Sequence, residues 1–368
     1  MAARDHGAVN LGQGFPDFGW PDDVVAHAAE ALVCGSNQYP PMRGLPALRE
    51  AVAAHYLHHQ GLAIDPAQVI VTSGATEALA STILALVTPG DEVVLFEPVY
   101  DAYMPLVLRA GGVPKLVRLN PPAWRIEAGA LAAAFSPRTR LVLFNNPHNP
   151  TGRLFGENEL RLVAEAAARS GAIILSDEVW EHLVFDGARF TSIAALPGMA
   201  DRVVKVGSAG KIFSMTGWKV GWVVAPPALA ETIAKAHQFV TFATPPNLQS
   251  AVAFGLAKDE TYFASMQAGF AAPRAHMRAG LVEAGYVPLE SSATYFLCVD
   301  LAASGIGMND AEFCRRAVAE AGVAAIPLSP FFAGSPVANV IRLCFAKKSE
   351  TLDAGIAGLA RARALLAD

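Results

Sequence analysis

One lysine stands among small residues in the stretch Ser208-Ala-Gly-Lys211-Ile-Phe-Ser-Met-Thr-Gly-Trp-Lys219, which directly follows the strand-like run Arg202-Val-Val-Lys-Val-Gly207. Glycines let a backbone approach a ligand closely, and a confined lysine loses charge through desolvation. Neutral lysine is a nucleophile that forms Schiff bases with carbonyl compounds. The stretch therefore predicts a reactive Lys211 with a fixed positive charge on Lys219. The alternative is an ordinary loop lysine between a strand and a helix.

The composition is typical of a globular enzyme with a large core. The chain has 368 residues, of which 53% are hydrophobic and 17% charged, so a disordered chain is excluded and two domains can form. A formal net charge of −5 gives no indication of a nucleic-acid or membrane partner. Widely separated cysteines without a CxxC pair, and no visible signal peptide, predict reduced thiols, no metal site and a cytoplasmic location.

Short hydrophobic strands alternate with helices from residue 68 onward. Strands are predicted at 68–73, 92–97, 140–144 and 172–176. This alternation predicts an α/β fold with a mostly parallel sheet that helices cover on both faces. After about residue 275, the spacing of helices and strands predicts a smaller α+β domain. The predicted organisation is an N-terminal segment belonging to the small domain (1–35), a large ligand-binding domain (36–273) and a small C-terminal domain (274–368).

Chemically useful residues follow the ends of the predicted strands, where open parallel sheets bind ligands. Gly74-Ala75-Thr76 is suited to an anion, since it ends a strand and opens a helix, although an ordinary tight turn is the alternative. Asp177 is suited to a protonated ring nitrogen, or it caps a helix. The loop Asn145-Asn-Pro-His-Asn149-Pro-Thr-Gly152 offers amide donors, or it is only rich in turns.

Two further residues are candidates because of their surroundings. Tyr100, in Glu97-Pro-Val-Tyr100, can present an aromatic face to a flat ligand, or it packs in the core. Arg342 is a cation inside the apolar strand Ile341-Arg-Leu-Cys-Phe345 and needs a partner. That partner is a substrate carboxylate or an internal salt bridge.

A phosphate-binding turn, a carboxylate for a ring nitrogen, an aromatic face and a Schiff-base lysine together suit pyridoxal 5'-phosphate. From about residue 8 to its C-terminus, the chain resembles class I/II aminotransferases of fold type I. It is most similar to the branch of kynurenine/glutamine transaminases, methionine aminotransferases and N-succinyldiaminopimelate aminotransferase-like proteins. The resemblance is carried by Asn10-Leu-Gly-Gln-Gly-Phe-Pro-Asp17, Asn37-Gln-Tyr39, Gly74-Ala-Thr-Glu-Ala78, Asn145 to Gly152, Asp177-Glu-Val179, Ser208 to Trp218 and Ile341-Arg342.

The resemblance implies roles toward the cofactor. Lys211 would hold it as a Schiff base and move the substrate's α-proton, and Asp177 would keep the pyridine nitrogen protonated. Asn149 would form a hydrogen bond with the ring oxygen. Tyr100 would stack on the ring and belong, with Lys211 and Asp177, to the catalytic residues. The phosphate would be held by Gly74, Ala75, Thr76, Ser208 and Lys219, and by Tyr39 of the neighbouring subunit in a homodimer with shared sites.

The resemblance also implies a substrate site. Arg342 would bind the α-carboxylate, with help from Asn149 and the backbone of Gly14. An apolar side-chain pocket would be formed by Phe15, Phe18, Phe242 and Ala243. Such a pocket predicts neutral, apolar or thioether substrates and poor use of aspartate, because a buried unpaired carboxylate is unfavourable. Arg43 or an arginine of a partner subunit remains a possible second cation for an acidic substrate.

Two features depart from the family pattern. Trp180 stands where the resemblance implies a tyrosine that bonds the ring oxygen, and an indole N–H can only donate. Trp180 is therefore predicted to border the cofactor but to tune it differently. Only residues 1–9 precede Asn10, fewer than the resemblance implies. We expect the part of the site that an N-terminal arm covers to be open or covered in another way.

The predicted function is a ping-pong aminotransferase that moves an amino group between an L-amino acid of methionine, aromatic, kynurenine or glutamine type and a 2-oxo acid. An N-succinyldiaminopimelate aminotransferase is one alternative. A cysteine-conjugate C–S β-lyase would use the same carbanion to expel a thiolate. A non-catalytic cofactor-binding protein is a third possibility, and the complete set of lysine, aspartate and arginine argues against it.

Overall fold

The computed structural model describes residues 2–367. Within them the strands are β1 (Val9–Asn10), β2 (Val69–Ser73), β3 (Glu92–Glu97), β4 (Val113–Arg118), β5 (Thr139–Asn145), β6 (Ile173–Asp177), β7 (Val203–Ser208), β8 (Val220–Val224), β9 (Val287–Pro288), β10 (Phe296–Asp300), β11 (Val323–Ala324), β12 (Ile326–Pro327) and β13 (Val340–Cys344).

The same residues 2–367 form α-helices before, between and after these strands. They are α1 (Ala2–Asp5), α2 (Asp22–Cys34), α3 (Pro46–Gln60), α4 (Gly74–Leu86), α5 (Tyr103–Arg109), α6 (Ala128–Ala133), α7 (Glu157–Ser170), α8 (Ala209–Ile212), α9 (Pro227–Val240), α10 (Pro246–Leu256), α11 (Glu260–Glu283), α12 (Asp310–Ala321) and α13 (Ser349–Leu366).

A seven-stranded sheet has the order β2-β8-β7-β6-β5-β3-β4. Strands β4, β3, β5, β6 and β7 are parallel, whereas β8 runs antiparallel to both β7 and β2. The four predicted strands correspond to β2, β3, β5 and β6, and the mostly parallel α/β sheet is confirmed. The carboxyl ends of β5, β6 and β7 lie side by side, so residues directly after these strands meet at one edge.

Helices cover both faces of this sheet, as its hydrophobic strands predict. Leu95 and Leu143 belong to a buried cluster with Ile83 of α4. The next residue of β3, Phe96, belongs to a different cluster with Leu160 of α7. Successive side chains of a strand point to opposite faces, so the two clusters are the two sides of one sheet. The sheet is therefore a rigid, buried support for the residues at its edge.

A second sheet lies in the C-terminal part of the chain. It has four strands in the order β12-β13-β10-β9, and neighbouring strands in it run antiparallel. Arg342 lies in the middle of β13, opposite Cys298 of β10. This sheet with α12 and α13 has the α+β character that the sequence predicts for the smaller domain.

The division into 1–35, 36–273 and 274–368 stays a prediction, and its ends Met1 and Asp368 lie outside the described residues. Two features bear on these boundaries. In the first segment, β1 pairs with β11, whereas α2 packs against α10. The last boundary falls inside α11, which continues through Pro273.

Two kinds of feature are absent from residues 2–367. None of their helices combines the length and apolar character needed to cross a membrane. They also contain no group of three or more His, Cys, Asp or Glu side chains arranged to hold a metal ion.

Candidate active site

A cavity of about 320 Å³ lies at the carboxyl edge of the large sheet. Most of the predicted site residues line it, although they come from distant parts of the chain. They are Gly14, Gly74, Ala75, Thr76, Tyr100, Asn149, Asp177, Trp180, Ser208, Lys211, Lys219 and Arg342.

Lys211 lies on the short helix α8, directly after β7. Its Nζ donates a hydrogen bond to the hydroxyl of Tyr295 at 3.0 Å and lies 4.6 Å from the ring centroid of Trp180. Burial lowers the pKa of the Lys211 amine to about 8; Cys344 and Asp177 oppose this shift, and the positive charges of Arg342 and Lys219 add to it. A substantial fraction of this amine is therefore neutral near physiological pH, as a nucleophile or base requires.

Asp177 is the last residue of β6 and is buried. Its Oδ2 accepts a hydrogen bond from the Tyr103 hydroxyl at 2.6 Å, and its Oδ1 accepts one from the Val179 N–H at 3.3 Å. Burial raises the pKa of the Asp177 carboxyl. Within residues 2–367 no lysine, arginine or histidine forms a salt bridge with it. A buried carboxylate of this kind is suited to a cationic group of a ligand.

The turn at the start of α4 forms one end of the cavity. Gly74 follows β2 with a φ of +70°, which favours glycine. The Nζ of Lys219 lies 3.4 Å from the position that a Cβ on Gly74 would take. A Cβ on Gly221 of β8 would lie 2.8 Å from the Ala75 nitrogen, so β8 and the turn can approach only because position 221 has no side chain. Free N–H groups at a helix start together with a lysine suit a phosphate.

Arg342 is buried at the opposite end of the cavity. Its Nη1 donates to Asn149 Oδ1 at 2.9 Å, its Nη2 donates to Gly12 O at 3.4 Å, and its guanidinium lies 4.0 Å from the Phe296 ring centroid. An internal salt bridge was the alternative interpretation, but no carboxylate of residues 2–367 forms one with Arg342. Its Nε is also buried without a partner. This guanidinium can therefore accept a ligand carboxylate.

Two aromatic residues border the space between these ends. Tyr100 is half-buried, and its ring packs edge-on against Tyr103 with 5.4 Å between centroids. Trp180 is buried and packs edge-on against Tyr295 at 4.4 Å. The site therefore offers aromatic surfaces to a flat ligand.

Three predicted site residues do not line the cavity. Tyr39 is 85% exposed, and its ring lies edge-on to Phe242, 5.5 Å away. Phe15 is exposed at 43%, with Lys347 Nζ 4.2 Å from its ring centroid. The structure thus does not bring these side chains into the described cavity.

Two other residues considered in the sequence also have different surroundings. Phe18 packs against Phe270 at 5.3 Å. Arg43 forms an ion pair with Glu231 and donates to the Ala67 carbonyl. Arg43 is therefore occupied on the surface and does not serve as the second cation of this cavity.

Sequence reasoning missed several lining residues, above all Tyr103 and Phe296, together with Tyr295, which contacts Lys211. Tyr103 follows Tyr100 by three residues and could have been suspected from that spacing. Tyr295 directly precedes β10 and Phe296 begins it, and no local signal marks either as a site residue. Their position depends on how the small sheet packs against the large one.

The chain belongs to the class I and II aminotransferases, because the family model Aminotransferase class I and II matches residues 7–359. It is therefore an enzyme, a transaminase, and its cofactor is pyridoxal 5'-phosphate. The predicted family, enzyme class and cofactor are confirmed.

Relatives with three different substrates resemble the whole chain. Methionine aminotransferase of Escherichia coli (strain K12) is 41% identical over 351 residues, which cover 95% of this chain and 91% of the relative. Kynurenine–oxoglutarate transaminase 1 of Rattus norvegicus is 36% identical over 386 residues, with coverage of 95% and 91%. The structure of N-succinyldiaminopimelate aminotransferase from Mycobacterium tuberculosis is 42% identical, with a TM-score of 0.95 and coverage of 98% of this chain and 95% of that one.

The cavity residues fit the cofactor of this family. A buried carboxylate on Asp177 suits a protonated ring nitrogen, and the amine of Lys211, with its lowered pKa, suits an aldehyde. Lys219 beside the turn at Gly74 suits the phosphate. Arg342, which lies at the other end of the cavity, suits the carboxylate of an amino acid.

Proposed function

We propose that this enzyme transfers an amino group from an L-amino acid with a neutral, apolar or thioether side chain to a 2-oxo acid by a ping-pong mechanism. Methionine, aromatic amino acids, kynurenine and glutamine are the proposed donor types. The observation that carries the proposal is the distribution of cations among the residues that line the described cavity. They are Lys211, Lys219 and Arg342, which leaves none for a side-chain carboxylate.

Four residues that line the cavity have a proposed part in the reaction. When bound, the cofactor supplies a conjugated ring that accepts the electron pair left on the substrate's α-carbon. Arg342 would bind the α-carboxylate and so orient the α-carbon. The amine of Lys211 would take the α-proton, for which its lowered pKa is suited. Asp177 would hold a proton on the ring nitrogen, and Tyr103 would fix the carboxylate that does so.

The substrate proposal is tested by comparing kcat/KM for methionine, phenylalanine, kynurenine, aspartate and N-succinyldiaminopimelate with one 2-oxo acid. We expect the best neutral donor to exceed aspartate by at least about tenfold, equivalent to about 1.4 kcal/mol of transition-state stabilisation. The physical reason is that a second carboxylate would lie unpaired in the cavity. An advantage of that size for aspartate or the succinylated donor would show the proposal to be wrong.

An N-succinyldiaminopimelate aminotransferase is the second candidate function. It is supported by the 42% identity to the mycobacterial enzyme of that name. The additional carboxylates of this donor would need a cation from a partner subunit. A cysteine conjugate, assayed without any 2-oxo acid, separates both candidates from a β-lyase, because only the lyase would release pyruvate, ammonia and thiol.

We also propose a homodimer with shared active sites. The exposed pair Tyr39 and Phe242 supports this, since two packed aromatic rings at the surface are suited to an interface. Tyr39 would reach the phosphate in the partner's cavity, and Phe242 the partner's substrate. A cytoplasmic location is supported by four cysteines that are all free thiols.

Mixed dimers test whether Tyr39 acts on the partner's site. Tyr39→Ala should weaken cofactor binding about tenfold or more, as loss of a hydrogen bond to a charged group does. Tyr39→Ala and Lys211→Ala chains, each with low activity at limiting cofactor, are mixed and allowed to exchange subunits. If sites are shared, one site of every mixed dimer is intact, so about a quarter of wild-type activity returns. If Tyr39 acts within its own chain, no activity returns on mixing.

A further inference from the structure

Tyr295 occupies a strained turn at the junction between the small sheet and the cavity. The preceding residue, Thr294, has a φ of +62°, a region that branched side chains rarely adopt. The turn is held because Thr294 N donates to Leu183 O at 2.8 Å and Phe296 N donates to Thr294 Oγ1 at 3.1 Å. Strain that the surrounding structure maintains is commonest at functional positions. The residue that follows this turn position, Tyr295, contacts Lys211 through its hydroxyl.

The hydroxyl of Tyr295 links the reactive lysine to the N-terminal part of the chain. It accepts a hydrogen bond from Lys211 Nζ at 3.0 Å and donates its own proton to Gly14 O at 2.5 Å. Burial raises the pKa of this phenol well above its usual value, so the hydroxyl keeps its proton. Because the hydroxyl hydrogen is used in the bond to the Gly14 carbonyl, the phenol oxygen can only accept a hydrogen bond from the lysine.

The residue at position 14 determines whether this arrangement can form. A Cβ on Gly14 would lie 2.6 Å from the Phe296 ring, so a larger residue would push this carbonyl away. Trp180 also faces the Lys211 amine, but it presents only its ring. Among residues 2–367, the hydroxyl group that bonds to the Lys211 amine is therefore that of Tyr295.

We propose that Tyr295 is a positioning residue for Lys211, holding the free amine by accepting one of its hydrogens while the nitrogen lone pair stays available. A hydroxyl that donated to the amine would occupy this lone pair and suppress its reactivity. The Gly14 carbonyl prevents this, because it accepts the hydrogen bond that the phenol hydroxyl donates. The inference rests on the proposed role of Lys211 and adds to it a residue outside the family markers in the sequence.

The test compares Tyr295→Phe with the matched control Tyr286→Phe. Tyr286 is also a buried tyrosine of the C-terminal part, and its hydroxyl also donates to a backbone carbonyl, that of Leu359, at 2.8 Å. Its hydroxyl is bonded to this carbonyl and not to Lys211. The pair thus separates loss of a buried hydroxyl from loss of the contact with the reactive amine.

The first readout is the rate at which cofactor-free enzyme captures pyridoxal phosphate, followed by absorbance across pH. This profile reports the Lys211 amine, which is surrounded by Asp177, Cys344, Arg342, Lys219 and Tyr295. A protonated amine gains more from an acceptor than a neutral one does, so Tyr295→Phe lowers its pKa. We expect the midpoint of the profile to move down by about half a unit to one unit. The rate at high pH should fall about tenfold because the amine is no longer held.

The second readout is steady-state kinetics. We expect kcat of Tyr295→Phe to fall about ten- to a hundredfold while KM for the amino acid changes less than about threefold, since Arg342 is untouched. The profile and kcat of Tyr286→Phe should match those of the wild type. An unmoved midpoint and plateau in Tyr295→Phe, or equal changes in both variants, would overturn the proposal.

Two checks keep the result interpretable. If Tyr295→Phe shows no cooperative thermal unfolding, 3-fluorotyrosine at position 295 replaces it, because fluorine weakens the oxygen as an acceptor with little change in packing. The midpoint should then move the same way by a smaller amount, and an unmoved midpoint overturns the proposal. If wild-type enzyme fails to capture the cofactor at Lys211, the proposed function itself is wrong, which is a distinguishable result.

Discussion

Replacement of Lys211 by alanine is expected to abolish covalent capture of the cofactor and to lower turnover by about four orders of magnitude. The physical reason is that one amine would act both as nucleophile and as base. The nearest other lysine of the cavity, Lys219, lies beside the turn at Gly74 and cannot take its place. Visible absorbance and reduction with borohydride measure the covalent bond, and kcat measures turnover.

Controls decide whether this loss is specific to the amine. Lys115→Ala removes a partly exposed lysine that pairs with Glu92, and it should leave both capture and turnover unchanged. Added small amines should restore part of the turnover of Lys211→Ala, because they can enter the cavity and act as the missing base. A folded Lys211→Ala enzyme with turnover close to that of the wild type would refute the assignment.

Replacement of Asp177 by asparagine is expected to lower kcat by about a hundred- to a thousandfold, or about 3–4 kcal/mol. The neutral amide can still accept the hydrogen bond from Tyr103, but it cannot hold a proton on the ring nitrogen of the cofactor. Single-turnover measurements with saturating amino acid isolate this step. Tyr103→Phe keeps the carboxylate and removes one hydrogen bond, so its kcat should fall much less.

Thermal unfolding of the cofactor-free protein gives a second readout for Asp177→Asn. Burial raises the pKa of this carboxyl, which means that folding disfavours its charged form. Above the folded-state pKa the charge is destabilising, so the variant should unfold at the same or a higher temperature than the wild type near neutral pH. A variant with unchanged single-turnover rates would show that Asp177 does not have the proposed role. A lower unfolding temperature would show that the carboxylate is chiefly structural.

Local sequence was sufficient to predict the parallel core of the large sheet and to place several candidate site residues at its carboxyl edge. Strands β3 and β6 are buried and contain the hydrophobic runs 93–96 and 173–175. Residues that follow such strands must lie at the carboxyl edge of the sheet, so Asp177 and Lys211 could be assigned to the site without coordinates. Arg342 was predictable for a related reason, since a charge within an apolar strand requires a partner.

Sequence alone did not determine what lies between segments that are distant in the chain. The antiparallel β8, which joins β7 to β2, was not predicted, because pairing direction depends on the path of the connecting chain. Tyr39 belongs to one of the family motifs and Phe242 is an apolar pocket candidate, yet the two rings pack on each other at the surface. Whether they complete a site depends on a second subunit, which local patterns do not encode.

By itself, the sequence determined the enzyme class, an aminotransferase, and supplied a lysine, a carboxylate and a guanidinium as candidate site residues, because these groups lie in short segments whose residue types and order carry the signal. Only the tertiary structure decided how that lysine is held. The contact of Tyr295 with Lys211 joins positions 84 residues apart, and its contact with Gly14 joins positions 281 residues apart. Hydrogen-bond partners at such separations depend on how two sheets and an N-terminal segment pack together. The spacing of residues in the sequence does not predict that packing.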